Sequence, residues 1–536
     1  MSRFKEKVLE GREFILTCEF VPGRGHKSRS IEEVIEFGKK VVSFDLPIHA
    51  VSITDNPGGN PAITPDVLGM ELHRMGLEPL IHFACTDCNR NMIESRAYAL
   101  ARDGIENLLV VSGDYPTGGY KGMAKPVFDL NSVQLIRYLK DMNQDLEIQG
   151  RKKGTFERLP RTDFLIGCVV SPFKRTEAEL MTQFFKLEKK ATAGADFIIP
   201  QLGYDIRKFA EVLKYMKYRN IDLPILGNVY VISRTVARLM NKGYIPGCVV
   251  SDELLKRIEE EAKAPDKGKQ ARMERAAQLA AIFRGLHFNG IHVGGFGLKF
   301  EDFEYIIRRS GEIGDNWRDY VSEFRYSNKD EYYYFPDDPK LTFTQDKLVP
   351  AKLSKKTVKS FNFRMNRVIH RCAFTGRGLG YRIATRTYEF IQNWEFGERF
   401  CYFFERQIKK LLFRCQECGD CALFDLAYLC PMSNCAKSQR NGPCGGSRNG
   451  MCEVDEEKNC VWALVYARLS SITSLGDLSN EYVPPLDWSL SDTSSWANFF
   501  LGRDHTSKKL KVMAKMAAEA KIGKEEKKPI INERAN

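Results

Sequence analysis

Eight short apolar runs, separated by stretches of helical periodicity, occupy the first 300 residues and limit the possible folds more than any other feature. They are FILTCEF (14–20), HAVSIT (49–54), PLIHFAC (79–85), NLLVVS (107–112), DFLIGCVV (163–170), ADFIIPQ (195–201), PILGNVYV (224–231) and GIHV (290–293). Continuous apolar character, rather than strict alternation, belongs to strands buried on both faces, as in a parallel sheet covered by helices. Helical stretches fall between them at 31–42, 94–103, 130–139, 177–193, 206–217, 235–242 and 272–285. Eight such units predict an α/β fold, a (β/α)8 TIM barrel. A doubly wound open sheet is the alternative; it would normally carry a glycine-rich fingerprint after its first strand, where this chain reads EFVPGRG.

In a barrel the chemistry sits at the C-terminal ends of the strands. Polar residues fall at seven of those ends in turn: Glu19, Thr54 with Asp55, His82 with Thr86, Asp114 in SGDYPTGG, Ser171, Gln201 and Tyr230. Taken singly, each has an ordinary structural use, as a mouth ion pair, a core histidine, a cap or a turn. Seven around one rim point to a site.

A second feature lies far downstream. Eight of the fifteen cysteines fall between positions 415 and 460: Cys415, Cys418, Cys421, Cys430, Cys435, Cys444, Cys452 and Cys460. The opening spacing, C-x2-C-x2-C-x8-C-P-x3-C, suits the compact geometry of an iron–sulfur cluster. A structural zinc site is the competing use, because thiolates serve both metals. The nearest histidines are His370 and His505, so thiolate alone would hold the metal. Eight thiolates can supply two [4Fe-4S] clusters, or one cluster and one zinc.

At 536 residues the chain exceeds one core, and two or three domains are expected. The boundaries read as a barrel over 1–310, a Tyr-, Pro- and Asp-rich linker over 311–360, a cysteine-rich metal-binding α+β domain over 361–500, and a basic helical tail over 501–536. Neither a signal-like apolar core at the N-terminus nor an uninterrupted apolar run of membrane length is present. A cytoplasmic, reduced protein with metal-bound cysteines is therefore expected rather than a disulfide framework. The net charge of +12 is scattered, apart from the tail from Lys508 to Lys528, and no nucleic-acid module accompanies it.

The first 300 residues resemble methylenetetrahydrofolate reductases, flavin-bearing barrel enzymes, in LTCEFVPGRG, VSIT, HFACTD, GDYP and, most specifically, LEKKATAGADFIIPQLGYD. The resemblance implies Glu19 as general acid, Asp114 beside both pterin and flavin, and Gln201 on the pterin ring. It implies Thr54, His82, Gly113 and Lys190 as flavin contacts. Two departures bear on the cofactor. Ser112 stands where the family often has Arg, and VVSPFKR lacks the Tyr and His that hold the adenosine half of FAD, so FMN and FAD both remain open. Tyr230 or Arg234 stands in for a phenylalanine that covers the folate in some relatives. CQECGDCAL, LCPMSNCAKSQRNGPCGG and GMCEV resemble the cysteine-rich partner domain found with this reductase in acetate-forming bacteria, here fused behind the barrel.

What this implies is reduction of 5,10-methylenetetrahydrofolate to the 5-methyl form. Opening the ring at N10 needs a proton donor, and a desolvated Glu19 with a raised pKa suits that task. The resulting cation at N5 needs a fixed negative charge; Asp114 about 4 Å away would contribute roughly 4 kcal/mol at an effective dielectric near 20. Backbone amides of Gly118 and Gly119 are candidates to cradle the flavin phosphate. Electrons would reach the flavin through the iron–sulfur centres from a ferredoxin or a redox partner complex. Alternatives are an NAD(P)H-dependent reductase with a zinc scaffold, and a non-catalytic electron-transfer or assembly subunit. A homo-oligomer is the expected assembly.

Overall fold

A computed structural model describes residues 2–44, 46–150, 152, 154–354, 360–375, 378–471 and 481–511. The tail expected over 501–536 thus lies outside the described residues from position 512 onward.

Eight parallel strands form a (β/α)8 barrel: β1 (Ile15–Phe20), β2 (Ala50–Ile53), β3 (Pro79–Ala84), β4 (Asn107–Val111), β7 (Leu165–Val170), β8 (Phe197–Pro200), β9 (Leu226–Val231) and β10 (Gly290–Gly295). Their order is β8-β7-β4-β3-β2-β1-β10-β9, and the Ile198–Ile225 bridge brings the two ends together. All eight apolar runs became strands, because each buries both faces between the barrel interior and the surrounding helices. Phe4, Ile15, Ala50, Leu80, Leu109, Leu165, Phe197 and Leu226 form a core cluster, each no more than 2% exposed.

Several elements were not foreseen, among them the helices Arg3–Glu10, Asp252–Glu261 and Phe300–Ile313. The basic stretch after β4 folds into an antiparallel hairpin, β5 (Glu147–Gln149) with β6 (Phe156–Arg158), and β6 is exposed. A helix over Pro65–Arg74 lies between β2 and β3; Pro at its first turn is compatible with helix initiation, and its signal in the sequence is short.

The chain divides into two compact units, one gathering Met1–Lys356 with Ala436–Tyr482 and the other Thr357–Cys435 with Val483–Asn536. The span expected as one cysteine domain, 361–500, is thus shared between them. In the first unit the segment expected as a linker is packed: Tyr334 and Phe335 are buried, and the Phe335 amide donates to Glu211 at 3.1 Å. The helix Val461–Ser470 lies against the helix Glu177–Ala193, with the Tyr466 hydroxyl donating to Glu177 at 2.6 Å. Lys189 of the Glu177–Ala193 helix lies over the Trp462 ring at 5.7 Å, while Lys186 reaches Gln439 and the Pro443 carbonyl and Lys190 the Val169 carbonyl.

In the second unit, the helix Glu395–Phe413 precedes the first cysteines. Its apolar residues Phe403, Phe404 and Leu411 are exposed. The buried side chains of that turn are Glu405 and Lys409.

Candidate active site

Side chains one residue apart on a strand face opposite ways, so Thr17 and Glu19 share the same face of β1. Parallel pairing sets Thr17 beside His292 of β10. Thr17 Oγ1 lies 2.8 Å from His292 Nδ1, and His292 Nε2 lies 3.2 Å from Glu19 Oε2. From β3, His82 Nε2 stands 3.7 Å from the same carboxylate oxygen and 2.9 Å from Ser52 Oγ of β2. Four strands thus converge on one carboxyl group.

Thr17 Oγ1 also lies 3.3 Å from the Ile291 carbonyl oxygen, so its one hydroxyl proton goes to that carbonyl or to His292 Nδ1 according to the imidazole tautomer. Burial pushes the Glu19 carboxyl up, but the hydrogen bond and electrostatic pull of His292 outweigh it. The group lies below its ordinary value rather than above, a correction to the raised pKa expected of an isolated acid. His82 is pushed down to about 4, chiefly by burial, and is neutral at physiological pH.

The remaining candidates surround this centre. Asp114 follows β4, and its Oδ2 accepts the Gly58 amide at 2.7 Å. Burial raises its pKa against the pull of Lys437 and of that amide. Tyr230, at the end of β9, is pushed up to about 12 by burial and then by Glu19. Cys248 feels both Asp114 and Glu19, and burial with those charges raises its thiol to about 12. Gln201 Nε2 lies 3.1 Å from where a side chain on Gly247 would begin. Glu19, Asp114, Tyr230 and Gln201 are therefore gathered around the loop that carries Gly247 and Cys248.

Among the expected flavin contacts, the Thr54 hydroxyl is buried without a partner, as are Ser171 Oγ and Gln183 Nε2. Unpaired buried polar groups are costly unless a ligand satisfies them, and these donors suit a polar ring. Gly113 adopts φ +79°, and a Cβ there would run into Thr86 Oγ1 at 1.9 Å, so the turn before Asp114 needs glycine. Lys190 donates to the Val169 carbonyl at 2.5 Å and is buried. Gly118 and Gly119 are half-buried in the loop after β4. On these grounds the barrel mouth fits a flavin.

The sequence reading missed His292, Thr17, Ser52 and Lys437. His292 was in view, on the eighth apolar run, but the tally of polar strand ends stopped at the seventh. Lys437 carried no signal, since its role comes from contact with a strand more than 300 residues away.

Of the eight clustered cysteines, Cys415, Cys418, Cys421, Cys430 and Cys435 belong to the second unit, and Cys444, Cys452 and Cys460 to the first. All eight are free thiols. Lys409 Nζ sits 3.6 Å from Cys421 Sγ. The same ammonium faces Cys415 and Cys418, while burial raises the Cys421 thiol against its pull; five thiols in one unit are a sufficient donor set for a four-thiolate metal centre. Cys430 precedes a short helix, Pro431–Asn434, and Cys444 Sγ lies 3.1 Å from Glu453.

Among the described residues no helix is long and apolar enough to cross a membrane. The family model for methylenetetrahydrofolate reductase matches residues 3–294, and a model for the C terminal of methylene-tetrahydrofolate reductase matches 396–489. Methylenetetrahydrofolate reductase 2 of Saccharomyces cerevisiae is 26% identical over 227 residues, which is 41% of this chain and 34% of the yeast protein. Methylenetetrahydrofolate reductase (NADH) 1 of Arabidopsis thaliana is 23% identical, over 45% of this chain and 39% of that protein. The 5,10-methylenetetrahydrofolate reductase of Salmonella typhimurium is 24% identical, over 30% and 46%. The chain thus spans between a third and a half of the length of these relatives. With a matching model that covers more than half of its residues, the chain belongs to the methylenetetrahydrofolate reductase family.

Proposed function

We propose that the barrel reduces 5,10-methylenetetrahydrofolate to 5-methyltetrahydrofolate, using hydride from a bound flavin that receives electrons through the cysteine-held centres. A bound flavin, FMN or FAD, supplies the hydride and accepts electrons singly or in pairs. Thr54, His82, Gly113, Asp114, Gly118, Gly119 and Lys190 are the residues assigned to hold it. Glu19 delivers the proton that opens the substrate at N10. The hydrogen bond to His292 at 3.2 Å is the route by which the carboxyl takes up that proton. Thr17 Oγ1 holds the other ring nitrogen at 2.8 Å. Asp114 stabilises the cation left at N5, and Gln201 and Tyr230 bind the pterin and its aryl extension.

Cys415, Cys418, Cys421, Cys430 and Cys435, with Cys444, Cys452 and Cys460, are assigned as ligands of [4Fe-4S] centres, a zinc replacing one of them as the variant. These centres transfer single electrons from a ferredoxin or a redox partner complex. The observation that carries the reading is the Thr17–His292–Glu19 proton array at the mouth of a barrel of this family. The word NADH in the Arabidopsis relative's name favours a second reading, in which a nicotinamide reduces the flavin directly and the cysteines hold structural zinc.

One experiment separates these readings. Protein purified without air is analysed for flavin, iron and zinc, reduced, and mixed with methylenetetrahydrofolate. Bound flavin, stoichiometric iron and reoxidation of the flavin by the folate are expected. Zinc without iron, and bleaching of the flavin by NADH, would favour the second reading. Absence of flavin reoxidation would overturn both.

A further inference from the structure

The one cation in contact with the Gly113–Asp114 turn does not come from a barrel strand, among the described residues. It comes from the segment between Cys435 and Cys444. Lys437 is 3% exposed, donates to the Gly113 carbonyl at 2.8 Å and pairs with Glu453 at 2.6 Å. The ring of Phe128 flanks it at 5.8 Å. An ammonium has three N–H donors. Two are used here, and the third meets no acceptor among the described residues.

The segment that carries it is built into the mouth. Lys174, after β7, donates to the carbonyls of Gly445 and Ser447, the latter at 2.7 Å. Lys186 donates to Gln439 at 3.0 Å and to the Pro443 carbonyl at 2.8 Å. Gly446 is required because a Cβ there would overlap Glu453, the group that holds Lys437. A side chain starting at Gly445 would come within 4.0 Å of Gln183 Nε2 and 3.7 Å of Ser171 Cβ. Ser171 Oγ and Gln183 Nε2 are two of the buried polar atoms that lack a partner. A structural staple would need only the Glu453 pair. An additional open donor, on the same segment as Gly445, which approaches two further unsatisfied polar atoms, is what a ligand rich in acceptors requires.

We propose that Lys437 is a cofactor-binding residue, donating to the acceptor-bearing edge of the redox ring at the Gly113–Asp114 turn and stabilising the ring in its electron-rich, reduced state. This rests on the flavin reading above and extends it: the cysteine-bearing segment supplies part of the barrel's own reaction centre. The fixed positive charge gains more from a reduced ring, which carries the added electron density, than from an oxidised one.

The test uses the full-length protein with its metals in place. Flavin dissociation constants are measured in the oxidised and reduced states for the native protein, Lys437→Met, Lys437→Gln and Lys437→Arg, with melting temperature and metal content recorded for each. In the neutral variants the preference for reduced over oxidised flavin should fall at least tenfold, a midpoint shift of about 30 mV for a two-electron couple. Lys437→Arg should keep the preference within about threefold. A neutral variant with native melting temperature, native metal content and an unchanged preference overturns the proposal. So does loss of folding in both neutral variants with native behaviour in Lys437→Arg, which would assign the residue to structure. Failure of the native protein to bind flavin would instead strike the underlying reading.

Discussion

His292 Nε2 and Glu19 Oε2, brought from β10 and β1 to 3.2 Å, form a hydrogen-bonded pair with one proton between imidazole and carboxyl. In the proposed reaction the carboxyl is the outlet for that proton. Removing His292 leaves burial as the main influence on Glu19, with the neutral His82 opposing it weakly. In His292→Asn the Glu19 pKa should rise, and folate reduction should slow by at least tenfold. Difference infrared spectroscopy of the carboxyl across a pH series reads the first effect and stopped-flow reads the second. An unchanged Glu19 titration would show that the pair is not coupled.

Beneath the rim, Arg96 ties two turns together. Its guanidinium pairs with Asp55 after β2 and with Asp66 at 2.7 Å each, and stacks over Phe83 at 4.3 Å. The side chain is only 7% exposed, so removing it strands two buried carboxylates. Arg96→Met should cost about 3–5 kcal/mol of stability, with Arg96→Lys intermediate because the planar fork is lost. Denaturant titration of both variants measures this, and a loss below about 1 kcal/mol for Arg96→Met would contradict the assignment.

The barrel was legible because its signal is local. Runs such as NLLVVS and DFLIGCVV need no distant partner to declare themselves buried strands, and LEKKATAGADFIIPQ joins a helix, a turn and a strand in one stretch. Glu19, His82 and Asp114 could be picked out for the same reason, since strand ends follow from strands. The division of the cysteine region could not. Residues 436–482 go with the barrel through Lys174, Lys186 and Glu177, side chains that look like the solvated face of a helix until their partners are known. The direction of the Glu19 shift was likewise hidden, because it depends on a histidine 273 residues away.

A further prediction concerns the second unit. His505 bridges Asp420 at 2.5 Å and Asp425 at 3.0 Å, joining the chain after Phe500 to the loop of Cys418 and Cys421. The two carboxylates outweigh burial and raise its pKa to about 9 from the ordinary 6.5. A proton held more tightly folded than unfolded stabilises below the unfolded pKa, and that contribution is lost as pH rises through the folded one. About 3 kcal/mol should therefore be present at pH 6 and largely gone by pH 9–10. Melting curves across that range should show the decline, and His505→Gln should flatten it. A native protein equally stable at pH 6 and pH 9.5 would contradict the bridge.

Glu19→Gln tests the central claim most directly, because the amide keeps the shape of the side chain but cannot pass a proton to N10. Flavin-loaded protein, reduced without air and mixed with methylenetetrahydrofolate, is followed through a single turnover by flavin absorbance. The account predicts native flavin binding with reoxidation slowed by about 10²–10⁴-fold. Reoxidation within about threefold of the native rate would contradict it.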